Sequence, residues 1–248
     1  MKISIITACY NSEKYLPTTI ESVLSQTYKD IEYIIIDGGS TDNTISIIKK
    51  YEPLFNGRMK WSSEKDDGIY DAMNKGIEKA TGIVIGLINS DDFFVDKYSI
   101  EKVINIFKNE KVDSVFADLY YVNENNVDKV ARTWKTGLKK SFASGWHPAH
   151  PSFYVRKEMY NLYGFFDINY KIAADFEIML RFLEKYKISS YYLSEYLVKM
   201  RTGGESNRNL SNIRKGNLEI RLAFKKNDIK ISSLYTFKRW FNKILQYF

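Results

Sequence analysis

Over the first 95 residues, short apolar runs alternate with segments whose apolar positions recur every three or four residues. Residues 2–7 read as a first strand, and Ser12 is placed to cap a helix running to about residue 26. Residues 31–37 form the next apolar run. Its Ile34-Ile35-Ile36 core is β-branched and continuously apolar, as in a strand covered on both faces. Ser40 or Thr41 is placed to cap a second helix. A short strand at 59–63 leads into a helix over 69–80, and a fourth strand at 83–88 stops abruptly at Asn89-Ser90-Asp91-Asp92. This β-α-β-α-β-α-β series predicts a mostly parallel sheet with right-handed crossovers, helices covering both its faces.

Beyond residue 95 the alternation fades. A helix is expected over 100–109 and a strand near 114–117, followed by a Tyr- and Asn-rich stretch at 120–126. Helical periodicity returns at 175–185 and 212–226. In the last segment Leu234, Phe237, Trp240, Phe241, Ile244, Leu245 and Phe248 recur at helical spacing. No repeat, low-complexity tract or Pro/Gly linker interrupts the chain, so one continuous α/β domain is expected. It is organised as a first half to residue 95, a second half over 96–200 and an extension over 201–248.

Composition narrows the function classes. With 248 residues, 44% hydrophobic and 27% charged, the chain can bury its own core and is neither disordered nor fibrous. The net charge of +7 is unevenly placed: residues 201–248 hold eleven Lys or Arg against three acids, which leaves −1 for the first 200 residues. A near-neutral body with a basic tail argues against a protein that binds nucleic acid over its whole surface. It favours a local anionic partner, such as a phosphate-bearing substrate or a membrane face. The single cysteine, Cys9, allows no internal disulfide, which fits a reducing compartment, and a cytoplasmic location is expected. The apolar run at 3–9 is too short for a signal-peptide core, and no stretch approaches the roughly 20 apolar residues that span a bilayer.

In open α/β sheets, ligands sit beyond the carboxyl ends of the parallel strands. Here those ends are polar: Thr7-Ala8-Cys9-Tyr10-Asn11, Asp37-Gly38-Gly39-Ser40-Thr41-Asp42, Glu64-Lys65-Asp66-Asp67-Gly68 and Asn89-Ser90-Asp91-Asp92. Clustered carboxylates repel one another unless a cation sits between them. A hard divalent ion bridging to phosphate oxygens is one resolution for Asp91-Asp92, and a solvated turn is the other. Neither G-x-G-x-x-G after the first strand nor G-x-x-x-x-G-K-[ST] is present, so dehydrogenase and P-loop readings fall away. Asp37 remains as an acid at a strand end, either meeting a ring N–H or ribose hydroxyl or opening a tight turn, and the two glycines after it let backbone approach a ligand.

These four segments, together with Asp67-Gly68-Ile69-Tyr70-Asp71-Ala72-Met73-Asn74-Lys75-Gly76, resemble family 2 glycosyltransferases of the GT-A fold over about residues 1–200. The resemblance implies inverting transfer from a nucleotide-sugar, most often a UDP-sugar, with Mn²⁺ or Mg²⁺. It puts Tyr10 and Asp37 at the base and ribose, with Thr7 and Ala8 alongside, and Asp66 and Asn74 at further donor contacts. Asp91 and Asp92 match the D-x-D-type element that holds ribose and metal. Asn89 stands in that element's first acidic place, so it can hydrogen-bond but brings no charge.

The second half carries His147-Pro148-Ala149-His150-Pro151 and, further on, Ala173-Ala174-Asp175-Phe176-Glu177. The latter resembles the family's acidic helix start, with Asp175 in the place of the general base and Ala174 replacing the usual Glu before it. Inversion needs a base opposite the leaving diphosphate and within reach of the acceptor hydroxyl, whereas without the resemblance Asp175 would read as a helix N-cap. Glu177 points to another helix face. His150 is a candidate contact for acceptor or diphosphate or else a structural histidine, and Trp146 either stacks on a sugar or packs in the core.

Relatives of this kind bring Arg201 and its Gly203-Gly204 turn near the site, where the guanidinium would offset leaving-group charge. The basic, aromatic tail fits either an anionic membrane or packing on the domain. The combined expectation is an enzyme that transfers a hexosyl or N-acetylhexosaminyl group to a glycan or lipid-linked acceptor in surface-polysaccharide synthesis. The departures at Asn89 and Ala174 would also suit a catalytically silent nucleotide-sugar-binding scaffold. A nucleotidyltransferase would need a Gly- and Arg/Lys-rich loop after the first strand, which residues 7–12 lack.

Overall fold

A computed structural model describes residues 1–203, 210–232, 234–236 and 239. Strands β1 (Ile3–Cys9), β2 (Ile31–Asp37), β3 (Met59–Ser63) and β4 (Val84–Leu87) are mutually parallel and lie in the order β3-β2-β1-β4. Alternate residues of β1 and β2 feed two separate cores. Ile6, Ala8, Ile34 and Ile36 face α3 (Ile69–Lys79), which contributes Tyr70, Met73 and Ile77. Ile3, Ile5, Tyr33 and Ile35 face the opposite layer of α1 (Leu16–Leu24), α2 (Thr44–Tyr51) and α4 (Ser99–Asn109). Burial on both faces explains why β1 and β2 are apolar throughout.

The sheet continues into the second half. A two-residue strand β5 (Phe93–Phe94) comes first, then β6 (Ser114–Asn123), which turns through Glu124-Asn125 into β7 (Asn126–Trp134) as an antiparallel hairpin. Strand β8 (Phe153–Arg156) inserts antiparallel between β4 and β6, while β9 (Ser190–Arg201) runs parallel to β6 and carries β5 on its far edge. Between β8 and β9 lie α5 (Lys157–Tyr163) and α6 (Ala174–Leu180), the latter continuing as one π-helical turn over Arg181–Lys185. After β9 comes α7 (Leu210–Lys226).

The structure corrects both expected helix caps. Helix α1 starts at Leu16, and the Ser12 hydroxyl instead meets the Ser90 hydroxyl at 3.0 Å. Helix α2 starts at Thr44, whose amide donates to Asp42 at 2.9 Å, while Ser40 and Thr41 bond back to Asp37 and Asn11. In both cases the polar side chain binds across loops and leaves its own helix without it. The expected strand near 114–117 is longer, because the Tyr-rich stretch after it is the arm of the hairpin.

Part of the basic extension packs on the domain. Ile220, Ala223 and Phe224 of α7 join the core against Phe176 of α6, and Tyr235 closes edge-on over Phe224 with ring centroids 4.8 Å apart. Phe237, Lys238, Trp240, Phe241, Lys243, Ile244, Leu245 and Phe248 of the tail lie outside the described residues.

Candidate active site

The carboxyl ends of β1, β2 and β4 are knitted together by their own loops. Asn11 adopts a left-handed conformation (φ 47°), so that its amide donates to the Ser40 hydroxyl at 2.8 Å and its side-chain oxygen accepts from the Thr41 amide at 2.9 Å. Asp37 is fully buried. It accepts from the amides of Gly39 and Ser40 at 3.0 and 2.9 Å, from the Ser63 hydroxyl at 2.7 Å and from the Ser40 hydroxyl. Its carboxylate thus organises the turn after β2. Beside it, a Cβ on Gly38 would stand 2.5 Å from a carboxylate oxygen of Asp66, so the missing side chain is what lets Asp66 approach this turn. Tyr10, by contrast, holds its ring in solvent at 61% exposure above the edge, a surface on which a flat ring system can stack.

At the end of β4, Asp91 is half-buried and Asp92 fully buried. Burial pushes both carboxyls up, and the Asp91 charge pushes Asp92 further; Asn89 opposes this by donating to Asp92 at 2.8 Å. The second oxygen of Asp92, Oδ1, is buried and has no hydrogen-bond partner. An orphaned anionic oxygen next to a second carboxylate suits a hard divalent cation, which takes one or two protein carboxylates and completes its shell from phosphate and water. Among the described residues no group of three or more His, Cys, Asp or Glu is assembled to hold a metal ion. Arg201, at the end of β9, donates to the Asp91 carbonyl and stacks over Tyr15 and Phe93 at 4.7 and 4.8 Å. Its guanidinium therefore stands beside the acidic pair, held by rings that also exclude water.

Asp175 occupies the first turn of α6 without serving as its N-cap, which is Ala173; one of its oxygens accepts from the Phe176 amide at 2.7 Å. The two acidic centres share neighbours. Burial pushes the Tyr121 phenol up to about 12; the Arg132 guanidinium, 3.8 Å from the centre of its ring, opposes this while the charges of Asp92 and Asp175 add to it. Tyr70 and His150 also feel Asp175: burial drives the phenol up and the imidazole down, and the Asp175 charge raises both. The charges of Asp92 and Asp175 thus both act on the Tyr121 phenol.

Other candidates have structural partners. Thr7 is buried and meets the Tyr33 hydroxyl at 3.1 Å, with Ala8 nearly buried beside it. Asn74 clamps the backbone of Phe166, donating to its carbonyl and accepting from its amide, both at 2.9 Å. His150 is buried edge-on against Phe166, and Trp146 packs between Phe116 and Phe142 while donating to the Thr136 carbonyl at 2.7 Å. Glu177 is buried in an ion pair with Arg181 at 3.0 Å, which removes it as a base. Sequence reasoning passed over Tyr121 and Arg132, which lie in the hairpin it did not resolve.

With this geometry in view, residues 4–185 match Glycosyl transferase family 2. The chain belongs to that family. It is 27% identical over 186 residues to a PGL/p-HBAD biosynthesis glycosyltransferase of Mycobacterium tuberculosis, covering 72% of this chain and 68% of that protein. An uncharacterized glycosyltransferase of the same organism is 31% identical over 180 residues, with the same shares covered. Among solved structures, Staphylococcus aureus TarS 1–349 in complex with UDP-GlcNAc superposes with a TM-score of 0.69 at 20% identity, over 93% of this chain and 68% of that one. Mannosyltransferase PcManGT from Pyrobaculum calidifontis, in complex with GDP-Man and Mn²⁺, gives 0.64 at 12% identity over 100% and 81%. This family 2 glycosyltransferase has the GT-A type α/β fold, and it is a transferase.

Proposed function

We propose that this glycosyltransferase moves a sugar from a UDP-sugar to a hydroxyl of a glycan or lipid-linked acceptor with inversion at the anomeric carbon. The observation that carries the reading is the acidic pair at the end of β4, where a buried Asp92 oxygen has no hydrogen-bond partner and the Arg201 guanidinium stands alongside, together with a second carboxylate, Asp175, in the first turn of α6. Tyr10 stacks on the base, while Asp37 and Asp66 shape the pocket for base and ribose. Asp91 and Asp92 would hold Mn²⁺ or Mg²⁺, which when bound would supply positive charge to offset that of the diphosphate, and Arg201 would add its own charge there. Asp175 takes the proton of the acceptor hydroxyl as its oxygen attacks the anomeric carbon, and the nucleoside diphosphate departs from the opposite face. Structural neighbours solved with UDP-GlcNAc and with GDP-Man and Mn²⁺ support the donor class and the metal. The mycobacterial relative named for PGL/p-HBAD biosynthesis supports a biosynthetic role.

Thermal unfolding with UDP, GDP, CMP and dTDP, each with and without Mn²⁺, tests the donor site. At about 100 times its Kd a ligand stabilises by roughly 2.7 kcal/mol, a rise of roughly 5–11 °C in Tm for a chain of this size. UDP is expected to give that rise only with Mn²⁺, and Asp92→Asn to abolish it. A rise with UDP that is indifferent to Mn²⁺ and to Asp92→Asn would remove the metal from the reading, and no rise with any nucleotide would remove the donor site.

The site is further proposed to work at the cytoplasmic face of a membrane. On α7, Leu218 and Leu222 are 64% and 55% exposed, and Arg214, Lys215, Arg221, Lys225 and Lys226 surround them on the exposed side. A leucine stripe between cations suits anionic headgroups, to which each Lys or Arg contributes about 1 kcal/mol. The chain is expected to co-sediment with vesicles containing phosphatidylglycerol and to stay in solution with phosphatidylcholine alone. Lys215→Ala with Lys225→Ala should weaken that binding by roughly 2 kcal/mol, about 30-fold. Equal partitioning to both vesicle types would sink the electrostatic contribution.

A further inference from the structure

The segment that delivers Asp175 has no regular structure between α5 and α6, yet it is pinned along its length. Arg181 donates to the carbonyls of Tyr163, Gly164 and Phe165, Asn74 holds both backbone groups of Phe166, and the Lys171 side chain reaches the Asp67 carbonyl at 3.3 Å. The last anchor before α6 comes from outside the stretch that matches the family, which ends at residue 185. Glu219 of α7, only 7% exposed, accepts from the amides of Lys171, Ile172 and Ala173 at 3.0, 2.8 and 2.9 Å. Three consecutive N–H groups converging on one carboxylate fix the backbone immediately ahead of the helix start. One turn earlier on α7, Gly216 lies so close that a Cβ there would stand 3.1 Å from Cγ2 of Ile172.

We infer that Glu219 is a positioning residue for Asp175: α7 sets the place of the proton-accepting carboxylate by gripping residues 171–173. The inference rests on Asp175 being the base. Ala173 and Ala174 bring no side-chain cap to the start of α6, and the Glu219 carboxylate is what satisfies the amides of Lys171, Ile172 and Ala173 immediately before it. A base displaced by about 1 Å loses on the order of 10²-fold in rate, while donor contacts made by β1, β2 and β4 are untouched. The signature is therefore a fall in kcat without a matching change in nucleotide affinity.

Turnover is read as UDP released from UDP-N-acetylglucosamine and UDP-glucose with water as acceptor, and UDP affinity by calorimetry. Glu219→Ala is expected to lower kcat by tenfold or more, and Glu219→Gln by less, since its amide oxygen still accepts from part of the cluster. UDP affinity should stay within about twofold in both. Gly216→Ala acts from the other side, because alanine favours the helix while its methyl presses on Ile172, so it should lower kcat several-fold without lowering Tm. It keeps the inference testable should Glu219→Ala fail to fold. Unchanged kcat in Glu219→Ala or, where that chain does not fold, in Gly216→Ala overturns the inference, as does a parallel loss of UDP affinity. Asp175→Asn is run alongside: full turnover in it overturns the base assignment itself, whereas lost turnover there with normal turnover in the Glu219 variants overturns the positioning role alone.

Discussion

Replacing Asp175 with Asn is expected to cut kcat on the order of 10²–10⁴-fold, the usual contribution of a positioned general base, and to leave UDP binding intact. Asn keeps the shape of the carboxylate and an oxygen for the Phe176 amide, so the helix start should not move. What disappears is the capacity to accept a proton. The measurement is the initial rate of UDP release at saturating donor, paired with UDP affinity. Activity above about a tenth of the parent would assign the base elsewhere, and a parallel loss of affinity would mean that the substitution had disturbed the fold. Glu177 does not offer an alternative base, since it is buried and bound to Arg181 and to Asn227 at 3.0 Å.

That buried pair supports the second large effect. Arg181→Ala leaves the Glu177 carboxylate without its cation and takes the donor from the carbonyls of Tyr163, Gly164 and Phe165. Breaking a buried ion pair from one side costs about 3–5 kcal/mol, which for a chain of this length lowers Tm by roughly 6–20 °C. Replacing both partners by apolar residues of similar length should recover much of the loss, because no buried charge is then stranded. Thermal unfolding of the single and double variants reads this directly. A shift of less than about 2 °C in Arg181→Ala would show that the loop before α6 holds without the guanidinium.

The first four strands and their helices are legible in the sequence because each is local: a β-branched run followed by a period of 3.6 needs no distant partner to be recognised. The strand ends could be inspected for the same reason. The second half resists such reading. Strand β9 is only partly buried between β6 and the short β5, so its Tyr-, Ser- and Glu-containing stretch lacks both the continuous apolar run and a clean alternation. The Ser12 and Ser40 hydroxyls face other loops, which no capping rule anticipates. Asn74 looks like a polar residue awaiting a ligand until Phe166, 92 positions away, is seen to occupy its amide. Glu219 has no sequence signal at all, because its partners are backbone amides some fifty residues earlier and every residue type has those.

The interleaving of β8 also bears on how the chain is made. Strands β1 to β4 lie within the first 87 residues, but β4 receives its second neighbour only from residues 153–156. On a ribosome the first half can therefore assemble while one sheet edge stays open. About 70 further residues must emerge before that edge is paired, and β9 must follow before β6 is flanked on both sides. An unpaired edge of this kind is a template for other chains. The sequence distance between β4 and β8 thus sets a window of vulnerability during synthesis, one that the finished sheet no longer displays.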